Sequence, residues 1–253
     1  MTVPFSLVVV GDEILAGRRK DGHVAHIGAA LAAAGHVLAE VAMVGDEPEP
    51  LRATLERTRA AGRPTFVCGG IGATPDDCTR PAAAAAWGRP LVEHPEAVAL
   101  LEARFGEAAR PNRIRMAQWP EGAELEPNPY NGIPGFRLDD HYFLPGFPEM
   151  AWPMVDAILA RDFPAGEPER VVAARVYGVG ESELVEPMEA VRATHPGVRA
   201  YSLPSTGGAG MDAGIELGCR GRGGEAAALE ALLAAVVERG GRWEPLEGEP
   251  GGV

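Results

Sequence analysis

The feature that most constrains this chain is an alternation in its first third, where short apolar runs rich in β-branched residues take turns with helical patterns. Residues 5–10 (Phe-Ser-Leu-Val-Val-Val) form such a run, and residues 37–44 and 65–68 repeat the signal. A continuous apolar run of this length suits a strand buried on both faces, which is the environment of a parallel sheet. Between the runs lie helix patterns. Asp21 is placed to cap one whose apolar face holds Val24, Ile27 and Leu31, with Gly35 ending it. Pro48 opens another that sets Leu51 and Leu55 one turn apart. A further helix is expected to begin near Asp77. Strand and helix in this order predict a parallel sheet with helices on both faces. Ligands of such sheets collect beyond the carboxyl ends of the strands. Three polar or glycine-rich segments fall there: residues 11–17, 45–47 and 69–77.

Beyond residue 93 the pattern is less regular. Val98, Leu101 and Phe105 mark a helix face, and residues 128–134 read as loop. Residues 135–138 and 141–144 form an expected antiparallel pair joined at Asp139-Asp140. A helix then carries Met150, Met154, Val155 and Ile158, with both methionines expected in the core. Residues 162–170 read as a linker, dividing the chain into domains at residues 1–165 and 170–253. In the second domain, strands at 171–176, 198–203 and 212–218 and two helices predict a β-α-β-β-α unit. One helix shows Leu184, Met188 and Val191, and the other shows Leu229, Leu232, Leu233, Val236 and Val237.

Composition removes several functions. A net charge of −13 argues against a nucleic-acid binder that works by neutralising phosphates. It leaves room for a small phosphorylated ligand, because backbone N–H groups and a metal supply positive charge locally. No basic segment precedes the first apolar run, and no run approaches the ~20 residues of a membrane span, so a cytoplasmic protein without membrane association is expected. Cys68, Cys78 and Cys219 form neither a disulfide framework nor a close metal pair.

The segment Cys68-Gly69-Gly70-Ile71-Gly72-Ala73-Thr74-Pro75-Asp76-Asp77-Cys78-Thr79 is the strongest candidate site. Glycines let a backbone approach a ligand closely, and their N–H groups line anion sites. The adjacent carboxylates of Asp76 and Asp77 suit Mg²⁺, or one of them could orient a water. The plain alternative is a tight turn with Asp77 as helix N-cap. Neither a Walker A lysine nor a dinucleotide fingerprint is present. Glu13 could accept a hydrogen bond from a base or ribose, or be a solvated carboxylate in a turn. Asp46 reads as a metal ligand or as a helix cap. Cys78 sits where a thiolate would be favoured but is better read as a small packed side chain. His23 and His26, three apart on a helix, could share a metal but lack a third nearby ligand.

These motifs resemble, in order and spacing, the molybdopterin-binding domain shared by the MoaB/MogA proteins and the N-terminal half of the CinA (competence/damage-inducible) proteins. The likeness rests on Gly11-Asp12-Glu13-Ile14-Leu15-Ala16-Gly17, Val44-Gly45-Asp46, and Gly69-Gly70-Ile71-Gly72 with Thr74, Asp76-Asp77 and Thr79. Arg113-Ile114-Arg115-Met116, Pro120-Glu121-Gly122-Ala123, Asn128, Pro134-Gly135-Phe136 and Leu144-Pro145-Gly146-Phe147-Pro148 are CinA-like. So are Tyr177-Gly178-Val179-Gly180-Glu181-Ser182-Glu183-Leu184 and Tyr201-Ser202-Leu203-Pro204-Ser205. The deamidase domain of full-length CinA proteins is expected to be absent.

The resemblance implies a three-layer α/β/α domain with a mostly parallel sheet, followed by a small α+β domain. It implies a pterin or nucleotide ligand, with molybdopterin a candidate, and a homo-oligomer. It also implies a metal-dependent (Mg, Mn or Co) pyrophosphatase acting on ADP-ribose or related dinucleotides. The alternatives are a non-catalytic binder and a molybdopterin adenylyltransferase-like protein. Carried over by residue, Asp46, Asp76 and Asp77 would bind metal or act as general base. Gly69, Gly70, Gly72, Thr74 and Thr79 would hold phosphate, while Gly11 and Glu13 would supply the first loop's ligand contacts, Glu13 on the base or pterin side. The chain departs from the family at Cys68 (usually Thr), at Ala73 (usually Pro) and at Asp21-Gly22-His23 (usually Asp-Thr/Ser-Asn). An RNA-binding second domain is a further reading, disfavoured because Gly178-Val179-Gly180-Glu181 places a carboxylate where a phosphate backbone would pass.

Overall fold

A computed structural model describes residues 2–205 and 214–246. The chain divides into two compact units, residues 1–166 and 167–253. In the first, β1 (Pro4–Val10) leads through the single turn α1 (Asp12–Leu15) to α2 (His23–Ala33). There follow β2 (Val37–Val44), α3 (Pro48–Ala60), β3 (Thr65–Cys68) and α4 (Thr79–Trp87). Then come β4 (Leu91–Glu93), α5 (Pro95–Phe105), β5 (Gln118–Pro120), β6 (Glu124–Glu126), β7 (Gly135–Leu138), β8 (His141–Leu144) and α6 (Pro148–Asp162).

Six strands form one sheet in the order β2-β1-β3-β8-β7-β6, while β4 and β5 make a separate pair. β2, β1, β3 and β8 run parallel; β7 and β6 are antiparallel additions. Successive residues of β1 serve opposite cores, as the two-residue period of a strand requires. Phe5, Leu7 and Val9 pack with Ile27 and Leu31 of α2 and with Met154, Val155 and Ile158 of α6. Val8 and Val10 pack with Leu51 and Leu55 of α3, Ala83 of α4 and Leu101 of α5. Each fully buried Leu, Ile, Val or Phe contributes roughly 1.5–3 kcal/mol. Helices on both faces therefore explain why β1 reads as a continuous apolar run rather than an alternating one.

The chain leaves β1 to form β2 on one side, then returns past it to form β3 on the other. This reversal opens a crevice at the carboxyl edge of the sheet. The strands end level there: Val10 pairs with Val44, Val9 with Cys68, and Cys68 with Leu144.

The second unit is a four-stranded antiparallel sheet, β10-β11-β9-β12, with two helices. Its elements are β9 (Arg170–Tyr177), α7 (Val185–Thr194), β10 (Arg199–Ser205), β11 (Gly214–Gly221), α8 (Glu225–Glu238) and β12 (Arg242–Pro245). Val176, Leu184, Val191, Leu217, Leu232 and Val236 form its core.

Several expectations change in detail. Helix α4 starts at Thr79, two residues past Asp77, for a reason given below. Asp162 belongs to α6 and Arg170 to β9, which shortens the expected linker at both ends. Of the strand expected at 212–218, residues 212 and 213 lie outside the described residues, and the rest belongs to β11. The β-α-β-β-α unit gains an edge strand, β12, paired to β9. Val237 is exposed on α8, and Leu184 lies in a 3-10 turn ahead of α7. Among the described residues no helix is long and apolar enough to cross a membrane.

Candidate active site

The glycine-rich loop leaves β3 at Gly69 and is held from inside by its own sequence. Gly69 and Gly70 adopt φ of 112° and 68°, a region that L side chains avoid. A Cβ on Gly69 would collide with the Val10 carbonyl oxygen, and one on Gly70 with the Thr79 hydroxyl. Thr79 ties both residues down: its Oγ1 donates to Gly69 O at 2.8 Å, and its N–H to Gly70 O at 3.0 Å. Asp77 closes the far half. Its Oδ1 accepts from Gly72 N at 2.8 Å, and its Oδ2 accepts from Thr74 N at 2.7 Å and Thr74 Oγ1 at 2.5 Å. Asp77 therefore caps the loop rather than the helix, which is why α4 starts two residues later. Among the described residues, the N–H groups of Gly70, Ile71 and Ala73 carry no protein hydrogen bond.

The loop forms one wall of a cleft of about 470 Å³ at the carboxyl edge of the sheet. Of the residues singled out in the sequence, Gly11, Glu13, Asp46, Gly69, Gly70, Gly72, Thr74, Asp76 and Asp77 line it. Thr79 does not; it is fully buried behind the loop.

Asp46 and Asp12 bind each other's backbone. Asp12 N donates to Asp46 Oδ2 at 2.9 Å, and Asp46 N to Asp12 Oδ1 at 3.1 Å. This reciprocal pair locks the β1–α1 turn to the β2–α3 turn. Partial burial raises the Asp46 pKa above the ordinary carboxylate value, and the charges of Asp12, Glu13 and Asp76 add to the effect. Asp76 is exposed, and the Thr74 hydroxyl beside it holds its carboxyl below that value.

The geometry separates the three aspartates read together from the sequence. All three line the cleft, but Asp77 has both oxygens committed to the loop, whereas Asp46 has one oxygen taken by Asp12 N and Asp76 is exposed. Among the described residues no three His, Cys, Asp or Glu side chains gather as a metal site. A hard divalent cation that keeps waters and takes substrate phosphate oxygens needs only one or two carboxylates. Asp46 and Asp76 fit that requirement.

Further lining comes from residues to which the sequence assigned no site role. Pro145, Gly146 and Phe147 follow β8, and Met150, Asn131 and Ile133 stand beside them. Met150 thus lines the cleft, whereas Met154 is core. Phe147 is exposed, and the Arg19 guanidinium lies 5.2 Å from its ring centroid. Arg19 also approaches Glu13 at 3.8 Å. An open aromatic face beside a carboxylate and a guanidinium suits a flat heterocycle. The signal for this wall was Leu144-Pro145-Gly146-Phe147-Pro148 at a fourth strand end, a CinA-like motif in the sequence to which no ligand role was attached.

His23 and His26 do not share a ligand position. His23 is buried, with Nε2 3.2 Å from the Gly146 carbonyl oxygen, and burial lowers its pKa. His26 stacks on Trp152 at 4.2 Å. Asp21 Oδ1 and Oδ2 accept from His23 N and Val24 N, capping α2 as expected. Burial pushes the Cys78 thiol up to about 11 and raises Cys68 further, so neither is a nucleophile at neutral pH.

Residues 6–165 match the family described as a probable molybdopterin binding domain. The chain belongs to that family. Over 243 residues it is 32% identical to the "Putative competence-damage inducible protein" of Moorella thermoacetica, covering 91% of this chain and 57% of that protein. It is 35% identical over 197 residues to a CinA-like protein of Geobacter sp. (strain M21), covering 73% of this chain and 47% of that one. The chain thus spans about half the length of these relatives. Among solved structures, a CinA protein of unknown function from Thermoplasma acidophilum superposes with a TM-score of 0.58 at 26% identity. The match covers 63% of this chain and 97% of that one. The molybdopterin-binding-type domain is therefore the first unit, and the cleft lies within it.

Proposed function

We propose that the cleft binds a phosphorylated pterin or nucleotide, and that the protein hydrolyses the phosphoric anhydride of a dinucleotide such as ADP-ribose with a divalent metal. The observation that carries this reading is the juxtaposition of unbonded amides at Gly70, Ile71 and Ala73 with the cleft-facing carboxylates of Asp46 and Asp76. The amides would receive the phosphate oxygens, where negative charge grows as the anhydride opens. Asp46 would accept the proton of the attacking water. The new P–O bond then forms as the P–O–P bridge breaks, and the leaving phosphate carries away the electron pair. A divalent cation, held by Asp46 and Asp76, would supply charge neutralisation across the two phosphates. Phe147, Arg19 and Glu13 would seat the heterocycle.

The test incubates the protein with ADP-ribose, FAD and NAD and with Mg²⁺, Mn²⁺ or Co²⁺, and looks for released mononucleotide. Metal-dependent release that disappears in Asp46→Asn and Asp76→Asn supports the reading. A second reading, a binder without turnover, rests on the Asp77 oxygens being consumed by the loop. Ligand binding with no product from any substrate would favour it.

A further inference from the structure

The cleft poses an electrostatic problem. Glu13, Asp46, Asp76 and Asp77 line it, against a single guanidinium, Arg19, which lies by Glu13 and Phe147. A polyanion approaching the glycine loop meets four carboxylates. Free amides and the start of α4 offer only partial charges in return.

A full positive charge nevertheless stands behind the loop. Arg80, in the first turn of α4, is 6% exposed and contributes no atom to the cleft lining. Its Nη2 donates to Gly72 O at 2.5 Å, and its Nη1 donates to Arg115 O. Its buried Nε has no partner. Among the described residues no carboxylate forms an ion pair with it, although many other arginines in the protein have one. Burying a guanidinium whose hydrogen-bond partners are two neutral carbonyls, with the Asp77 carboxylate near enough to act on it electrostatically but not to pair with it, is costly, and one donor is left unsatisfied. The arrangement becomes favourable once an anion settles on the other side of the peptide units that Arg80 holds.

We propose that Arg80 is a positioning residue for the phosphate site: it fixes the curvature of the loop through Gly72 O and supplies the net charge that lets an acid-lined cleft accept a polyanion. This rests on the phosphorylated-ligand reading above. It predicts that the penalty for losing Arg80 scales with ligand charge. Lysine would not replace a purely structural clamp, since an ammonium cannot reach both carbonyls as a planar fork does.

The experiment is calorimetric titration of wild type, Arg80→Lys and Arg80→Met with ADP-ribose and with adenosine, in EDTA so that no metal-dependent cleavage occurs, alongside melting curves. Arg80→Met should lose about 10- to 100-fold in affinity for ADP-ribose, the scale of a charge-assisted interaction. Adenosine binding should stay within about twofold, as expected for a site away from its contacts. Arg80→Lys should recover most of the ADP-ribose affinity despite a lowered melting temperature. Equal losses for both ligands, no recovery with lysine, or no loss at all would overturn the proposal. Binding that follows the expected pattern without any turnover when metal is restored would overturn only the hydrolase reading. Wild type that binds ADP-ribose only when Mg²⁺ is restored would overturn the Arg80 proposal alone, and wild type that binds it in neither condition would overturn both.

Discussion

Replacing Asp77 by asparagine tests whether the adjacent aspartates have separate tasks. Three donors converge on Asp77, from Gly72 N, Thr74 N and Thr74 Oγ1, over 2.5–2.8 Å, and both carboxylate oxygens act as acceptors. Asparagine keeps one acceptor oxygen and turns an NH₂ group towards donors at the other position. A hydrogen bond to a charged group is worth roughly 1.5–3 kcal/mol. Asp77 is only half-buried, so solvent screens part of that, and a loss of about 1–2 kcal/mol is expected. For a protein of this size that lowers the melting temperature by roughly 2–8 °C. The released loop should also weaken ligand binding, because the amides of Gly70, Ile71 and Ala73 lose their fixed aim. Asp76→Asn, at an exposed position, should leave the melting temperature unchanged and abolish metal-dependent turnover. The assay pairs melting curves with ligand titration for both variants. If Asp77→Asn melts like wild type and binds ligand normally while losing turnover, the assignment is wrong and Asp77 is a metal ligand or base.

Three further outcomes follow from the same structure. His141 is buried, with Nε2 2.9 Å from Thr58 Oγ1, and burial lowers its pKa to about 4 from 6.5. The unfolded chain therefore takes up a proton first as pH falls, so stability is full above about 6.5, declines towards pH 4 and levels below it, by about 3 kcal/mol for this group. Urea denaturation across that window should show a shallower decline for His141→Gln than for wild type, and parallel declines would refute the assignment. Gly69→Ala forces a Cβ onto the Val10 carbonyl at a φ of 112°, so it should cost about 1–3 kcal/mol or more and abolish ligand binding, checked by the same melting and titration pair. Arg161→Met strips Glu126, which is 3% exposed, of a bidentate partner at 2.8 and 3.0 Å. Because Arg161 is itself half-exposed, the cost should be about 2 kcal/mol, below that of a fully buried pair, and should be erased by the companion change Glu126→Gln.

Much of the first unit was legible because its signals are local and periodic. The β1 run, the α2 face of Ile27 and Leu31, and the β7–β8 hairpin at Asp139-Asp140 all follow from period and turn chemistry. Asp139 takes a φ of 49°, a conformation that aspartate tolerates in a tight turn. What stayed hidden depends on contacts between distant segments. Arg242-Trp243-Glu244-Pro245 is exposed throughout as β12, so no alternation marks it, and only pairing with β9 makes it a strand. The Pro145–Phe147 segment stood out in the sequence as CinA-like, but its place in the cleft stayed hidden for the same reason. Its role depends on β8 lying beside β3, a neighbour relation set by sheet order rather than by nearby sequence.

The site divides along a different line. The family resemblance assigned Asp46, Asp76 and Asp77 to metal or base and Thr79 to phosphate, all of them ligand-facing roles. The hydrogen bonds separate them by direction. Thr79 points inward, and Asp77, although at the cleft wall, spends both oxygens on loop donors; Asp46 and Asp76 line the cleft without that commitment to the loop. Both groups require fixed chemistry. A loop with two glycines at positive φ and three unpaired amides has little intrinsic stability, so it must be stapled before it can bind. A motif of this kind therefore carries at least as many residues that hold the backbone as residues that meet the ligand, and composition and spacing cannot tell them apart. Arg80 is the extreme case. It lies outside the cleft and nothing in the sequence singled it out, yet it carries the full positive charge directly behind the loop.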